Sequence, residues 1–398
     1  MIKFTLFKIS RRQLVSIILI IFFTCTLNSI VAAENEEDTS DIHDVINVQK
    51  YNRSIHIMAM LLVGFGFLMV FVRGYGRSAL TMTFILVSIA IPLYMFIVNL
   101  GFFNGQTSEI DKFILSEFAA AGLLIAAGAT LGRLKMPQYL LLGAMFIPFY
   151  ILNEWILLEG GFGILPVGAI LDTGGSIVIH AFGAFFGLGV VIAITKNEDF
   201  KKAIKADYNS DRFSMLGSMI LWIFWPSFCA ALVTADQIPH TIINVFIALC
   251  GSTLATYITS TLLRGKTAIS DIANAALAGG VAIGSTCVVS NSTSAFIIGC
   301  LAGLISTVSF ILIHQHLQKR LGMIDTCGVM NLHGFPGILG GVSAIIVTSS
   351  ISITYQLTGI VITIILSVSS GVLTGSILRL FKKRTKYYDD SEEFIDEE

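Results

Sequence analysis

The sequence predicts an all-α membrane protein: eleven transmembrane helices, arranged as two inverted five-helix repeats followed by a final long helix. Three observations carry that reading. The mean hydropathy is +0.81, and only 13% of residues are charged, against roughly a quarter in a soluble domain. Apolar stretches of about 20 residues, long enough to cross a bilayer as helix, recur between short polar joints. Finally, one motif occurs twice, at an interval of 153 residues.

The spans fall near 55–73, 79–101, 112–131, 137–158, 174–195, 213–233, 240–263, 268–289, 294–313, 326–349 and 354–380. Within lipid every backbone N–H and C=O must be satisfied inside the chain, which leaves helices as the reading for stretches this long and apolar. The 36 glycines suit helices that approach closely in lipid.

Ahead of these spans, Lys3, Lys8, Arg11 and Arg12 form a basic region, followed by an apolar stretch and the small-residue site Val31-Ala32-Ala33. This is the grammar of a signal peptide over 1–33; a retained first helix is the competing reading. Both place residue 34 outside. The expected organisation is then an extracellular segment at 34–53, a transmembrane domain at 54–381 and an acidic cytoplasmic tail at 382–398. The tail from Tyr387 onward is expected to be solvated and mobile. With residue 34 outside, 22 of the 25 Lys and Arg residues fall on inner segments, the exceptions being Lys50, Arg53 and Lys112. This charge bias follows the positive-inside rule.

The repeated motif is Asp-Thr-x-Gly-x4-His-x-Phe: Asp172, Thr173, Gly175, His180 and Phe182, then Asp325, Thr326, Gly328, His333 and Phe335. Each histidine lies about 12 Å along the helix from its aspartate at ~1.5 Å per residue, approaching the middle of a hydrocarbon core about 30 Å thick. The copies are five spans apart, so they enter the membrane from opposite faces, and inverted repeats place substrate sites near the midplane between halves. A single histidine at that depth reads equally as interhelical glue. Two at matching positions point to a pathway for a small polar species. Asp172 and Asp325 sit where a carboxylate caps backbone N–H groups, with a direct substrate role as the alternative.

Several chemistries lack support. Two histidines without a nearby carboxylate or thiolate cluster are too few for a closed metal site. No phosphate-cradling loop, serine elbow or zinc-protease motif occurs, so no catalytic residue, cofactor or nucleic-acid partner is expected. The sequons at Asn52 and Asn291 land on the outer side as possible glycosylation sites. Cys25 lies in the signal segment, and Cys229, Cys250, Cys287, Cys300 and Cys327 read as small packing residues with no disulfide framework. Asn244, Asn274 and Asn331 read mainly as interhelical hydrogen-bonding groups.

Further runs extend the pattern: Leu62 to Met69, Asn153-Glu154, Gly174 to His180, Phe182 to Leu188, Trp225-Pro226-Ser227-Phe228, Asn274 to Ala282, and Asp325-Thr326-Cys327-Gly328 with Asn331-Leu332-His333-Gly334. In this order they resemble the ammonium transporter (Amt/Mep/Rh) family, and within it the Rh glycoproteins. The resemblance implies the ammonium transporter fold, assembled as a homotrimer in a lipid bilayer, most naturally the plasma membrane. It implies that the positions of His180 and His333 share a hydrogen bond in a narrow apolar pore, with Asn331 as a further pore-lining position. It also implies that those of Phe118 and Phe228 form a stacked aromatic gate. The chain has 29 phenylalanines, so only the resemblance separates these two from packing residues. The implied substrate is ammonium, conducted as ammonia. A carbon dioxide channel and a non-conducting membrane sensor or scaffold are the alternatives. Glu154 is the expected vestibule residue that recruits the cation, weighed against a structural bond. Phe162, in a glycine-rich loop, is read as loop packing.

Overall fold

Eleven helical segments follow one another in the structure, a computed structural model that describes residues 40–101, 103, 108–202 and 204–395. They are α1 (Asp44–Phe71), α2 (Gly76–Asn99), α3 (Glu109–Thr130), α4 (Met136–Leu158), α5 (Ser176–Ile194), α6 (Tyr208–Cys229), α7 (Ile238–Arg264), α8 (Ile269–Ile283), α9 (Ser292–Leu321), α10 (Met330–Val347) and α11 (Ile353–Leu378). Among the described residues there is no strand. The all-α membrane fold predicted from hydropathy is the one observed. The signal segment at 1–33, with its basic residues and Cys25, lies outside the described residues. The chain divides after Ile46 into two units. Of the first, the description covers the helical turns at 40–46; the second, Asn47–Glu398, is the body described below.

Nine of the eleven helices are long and apolar enough to cross a membrane. The other two depart for visible reasons. The first turn of α6 is polar, with Asp207 accepting the N–H groups of Asn209 and Ser210 at 3.1 and 2.9 Å. Helix α8 is interrupted between Ala275 and Ala278, and its span continues as the irregular turns at 284–290. Ser285, Thr286, Cys287 and Ser290 are all fully buried there. Non-helical backbone at membrane depth is tolerated only where protein surrounds it.

The two halves repeat their pairings. Helix α2 packs on α4 and α3 on α5; correspondingly α7 packs on α9 and α8 on α10, while α11 lies along α5. Helices α3 and α5 are almost enclosed, whereas α2, α9 and α11 keep broad outward apolar faces. Those faces carry residues such as Phe84, Leu312 and Ile365, as lipid contact requires. Asn244 on α7 donates to the carbonyls of Cys287 and Ser290 at 3.0 and 2.6 Å, an interhelical bond as expected. Asn274 does not follow: its amide donates to the Ser270 carbonyl one turn back in its own helix, as short polar side chains in helices often do.

The C-terminal tail corrects another expectation. Residues 387–395 are not free but docked on the body. Asp390 accepts the N–H groups of Arg77 and Ser78 at 3.0 and 2.8 Å, capping α2. The Tyr388 N–H donates to Gly132, and the buried Arg384 guanidinium bonds to the Leu134 carbonyl and to Glu393 at 3.1 and 3.2 Å. Counting acidic residues in the sequence missed that Asp390, Glu392 and Glu393 have partners on the body.

Glu392 is paired with Lys135 at 2.8 Å. Its partial burial would raise its carboxyl, but Lys135 and the N–H groups of Lys386 and Thr385 outweigh that and bring it down to about 2 from an ordinary 4.5. A depressed carboxylate stabilises the docked tail above its free pKa and loses that contribution as pH falls through the folded value. Lys135→Ala is therefore expected to raise hydrogen exchange in residues 385–394 at neutral pH by about two- to fivefold, the scale of one ion pair near the surface. Wild type should show a similar loss between pH 4.5 and 2 after correction for intrinsic exchange. Unchanged protection in the variant would refute this role of Lys135 in docking the tail.

Candidate functional site

The centre of the molecule is built by two aspartates that start two helices in the same way. Asp172 takes up the N–H of Ile177 at 3.0 Å and of Val178 at 2.8 Å, and also accepts from Ser285 Oγ at 2.6 Å. Asp325 takes up the N–H groups of Val329 and Met330 at 3.0 and 3.1 Å. A helix start leaves N–H donors without intrahelical partners, and a carboxylate there also complements the dipole. Three residues after each aspartate the chain turns through a left-handed glycine, Gly175 at φ +74° and Gly328 at φ +68°. A Cβ at these positions would run into Ile179 and Phe310 respectively. Both helices then open as a wide π turn, Ser176–Ala181 and Met330–Gly334, and each turn carries its histidine. Such turns cluster at functional sites.

These starts bring the two rings together. His180 and His333 lie 5.3 Å apart centre to centre, nearly parallel at 12°, with Nδ1 to Nδ1 at 3.2 Å. That bond fixes the proton inventory. One Nδ1 must donate and the other accept, so the accepting ring carries a bare Nδ1. If both rings are neutral, the donor ring has a bare Nε2 and the acceptor ring an Nε2–H. The pair therefore offers one lone pair and one N–H on its outer nitrogens. His180 Nε2 is buried with no hydrogen-bond partner.

The rings belong to a file. Phe118 and Phe228 are 4.6 Å apart; Phe228 is 6.2 Å from His180; Phe65 is 6.4 Å beyond His333. Trp225 stacks on His180 at 5.4 Å. The Phe118 and Phe228 rings meet at 49°, tilted rather than stacked as the resemblance implied. Ring quadrupoles favour such tilted contacts over a flat sandwich.

Against Phe118 lies a cavity of about 240 Å³, walled by Tyr150, Glu154, Asp172 and Val178 among others. Glu154 is buried at 7% exposure and accepts the Tyr94 hydroxyl at 2.6 Å, so it has both a structural bond and a place on the cavity wall. Asn331 is engaged elsewhere: it accepts from Ser309 and bonds to His314 at 2.9 Å. Two residues from His333 on the same helix, it points to a different side. Phe162 is largely exposed and sets its ring edge against Trp155 at 4.8 Å. Asn52 is exposed on the helix Ser40–Ala59, and Asn291 caps α9 by accepting from the Ser294 N–H at 2.9 Å.

Sequence reasoning gave no role to Glu117, which is fully buried beside Phe118 and accepts from Ser54 Oγ at 2.9 Å, its second oxygen unpartnered. A carboxylate inside an apolar span was the available signal. Among the described residues no group of three or more His, Cys, Asp or Glu could hold a metal ion, and the five cysteines there are free.

Asp172 serves more donors than Asp325, so the two should differ in cost. Asp172→Ala strands three buried donors and is expected to cost about 3 kcal/mol or more, at 1–3 kcal/mol per orphaned group. Asp325→Ala, which strands two, should cost less. Thermal unfolding of detergent-purified variants reads the order, and equal stability of Asp172→Ala and wild type would overturn it.

Comparison with known proteins places this architecture. The model of the Ammonium Transporter Family matches residues 13–394. Ammonium transporter Rh type B of Oryctolagus cuniculus is 35% identical over 359 residues, covering 81% of this chain and 77% of that protein. Ammonium transporter Rh type A of Bos taurus is 34% identical over 398 residues, covering 95% and 90%. The solved structure of Nitrosomonas europaea Rh50, of the Rhesus protein family of channels, superposes with a TM-score of 0.86 at 51% identity, over 88% of this chain and 93% of that one. A sensor Amt protein shares the fold at a TM-score of 0.74 and 18% identity. Motif order, duplicated helix starts and these likenesses agree: the chain belongs to the ammonium transporter family, in its Rh branch.

Proposed function

We propose that the protein conducts ammonia along the file of rings from Phe118 to Phe65, taking ammonium from the cavity beside Phe118 and leaving its proton behind. The observation that carries this reading is the buried His180–His333 pair, bonded through Nδ1 and presenting the unpartnered His180 Nε2 between apolar rings. The proposed assembly is a homotrimer in the plasma membrane, with residue 34 outside and the C-terminus in the cytoplasm, as the charge bias implies. The family is one of transporters, and no catalytic turnover is assigned.

Solvation decides which species passes. A bare ammonium ion in a dry apolar passage forfeits tens of kcal/mol of hydration by Born reasoning, while a neutral amine forfeits a few at most. The lone pair and N–H on the outer nitrogens of the imidazole pair match what ammonia donates and accepts. Phe118 and Phe228 in contact leave no passage for a hydrated sodium or potassium ion, and apolar constrictions also exclude ions by dewetting. Glu154 and Asp172 place carboxyl oxygens on the cavity wall as acceptors for an ammonium ion. Asn331, held by His314 and Ser309, supports the helix start rather than meeting the substrate.

Stopped-flow alkalinisation of proteoliposomes under an ammonia gradient tests the reading. Wild type should exceed protein-free vesicles. His180→Ala and His333→Ala should each slow ammonia entry by about tenfold, the worth of one buried hydrogen bond near 1.4 kcal/mol. No flux above background in wild type would sink the proposal. A carbon dioxide permeability untouched by both replacements, with no ammonia flux, would favour the gas-channel alternative.

A further inference from the structure

Two π turns from different helices are tied together by one side chain. The first, Ser309–Ile313, lies within α9; the second, Met330–Gly334, opens α10 and carries His333. Asn331, fully buried in the second turn, reaches α9 with both ends of its amide. Its Oδ1 accepts from Ser309 Oγ, and its Nδ2 lies 2.9 Å from Nδ1 of His314, the residue that follows the first turn. This arrangement fixes the state of the imidazole. An amide oxygen only accepts, so it takes the Ser309 hydroxyl; an amide nitrogen only donates, so His314 Nδ1 must be bare. His314 is therefore neutral, with its proton on Nε2. The residue is half-buried, its ring 6.1 Å from that of Phe310. It sits near the inner end of α9, ahead of Lys319 and Arg320 in the last turn.

We propose that neutral His314 is a positioning residue for the histidine pair: through Asn331 it holds the turn that carries His333, and a proton arriving from the inner side undoes that hold and slows conduction. An imidazolium donates from both nitrogens and accepts at neither, so the protonated ring meets the Asn331 amide as donor against donor. The amide must then let go or turn over, and turning over takes its oxygen away from Ser309. The path from that amide to His333 is short. Asn331 N–H donates to Gly328 at 2.9 Å, and the left-handed Gly328 sets the entry to the turn. Other charged and titratable groups on the surrounding elements are Asp325 and Cys327 before α10, Tyr257 and Arg264 on α7, Asp271 on α8, and His316, Lys319 and Arg320 on α9 itself. Asp325 takes up the Val329 and Met330 N–H groups, Arg264 and Asp271 close on each other at 2.7 Å, and His316 donates to the Leu312 carbonyl. His314 is the titratable group bonded to Asn331. The effect on conduction rests on the conduction reading, whereas the hold on the turn does not.

The test uses the full chain and two readouts, each taken at about pH 7.5 and about pH 5.5, an interval over which imidazoles gain charge. Ammonia flux is measured in proteoliposomes equilibrated to one pH on both sides, as the ratio of wild type to His314→Gln. The glutamine carbonyl accepts from Asn331 and does not titrate, so the ratio cancels every other pH effect. Hydrogen exchange of residues 328–336 in nanodiscs, corrected for intrinsic rates, reads the turn without any flux. The flux ratio should be near one at the higher pH and fall about three- to tenfold at the lower, the worth of one hydrogen bond. Exchange should rise by a similar factor in wild type and stay level in His314→Gln. His314→Leu, which fills the space without accepting, should show raised exchange and lowered flux at both pH values. The same pH response in wild type and His314→Gln, or wild-type behaviour of His314→Leu at the higher pH, overturns the proposal. Exchange that follows His314 with an unchanged flux ratio overturns the effect on conduction alone. Wild type without flux above protein-free vesicles, but with exchange that follows His314, overturns the conduction reading and leaves the hold on the turn standing.

Discussion

Two buried carboxylates hold the centre of this protein in place. Asp172 and Asp325 each take up the first free N–H groups of a helix that begins inside the body, where water cannot do so and an unsatisfied donor costs about 1–3 kcal/mol. Each helix start is thereby fixed in position and rotation. Because the starts come from opposite halves and carry a histidine at the same offset, the rings converge at 3.2 Å. Without the carboxylates the π turns would have no anchor, and the histidines no reason to share a bond.

The ring file combines packing with polarity. Its apolar members are phenylalanines and a tryptophan that also fill the core. Its polar members satisfy each other on one nitrogen each and leave the outer nitrogens for a visitor. That division makes the centre hospitable to a small neutral molecule with both donor and acceptor character and hostile to a bare ion. Glu154 shares a cavity wall with Phe118, and Glu117 is buried next to Phe118 in sequence.

A chain of contacts runs from the far surface to the same centre. The tail from Tyr387 onward bonds to Gly132, Lys135 and the start of α2. Arg133 reaches across to the carbonyl of Ile324 and to Asp199, which also receives Lys383. Next to Ile324 is Asp325, the anchor of α10, and Thr326 and Cys327 donate to the end of α3. The loop that sets His333 is therefore clamped by the body and the tail together. Among these groups, Asp199 is held below the ordinary carboxylate range: burial opposes ionisation, but the Lys196 N–H, Lys383 and Arg133 outweigh it.

Apolar stretches of bilayer length and the repeated Asp-Thr-x-Gly-x4-His pattern are local properties, so they determined the helical fold and the duplication before any contact was known. Partnership is not local. Glu117 meets Ser54, Glu154 meets Tyr94, Asn331 turns to His314, and the acidic tail finds Lys135 and α2. Each pairing joins residues of different elements of the chain. Hydropathy records what a residue prefers to be near, and only the packed chain decides which neighbour it meets; the sharing of one hydrogen bond by two histidines 153 residues apart was decided there.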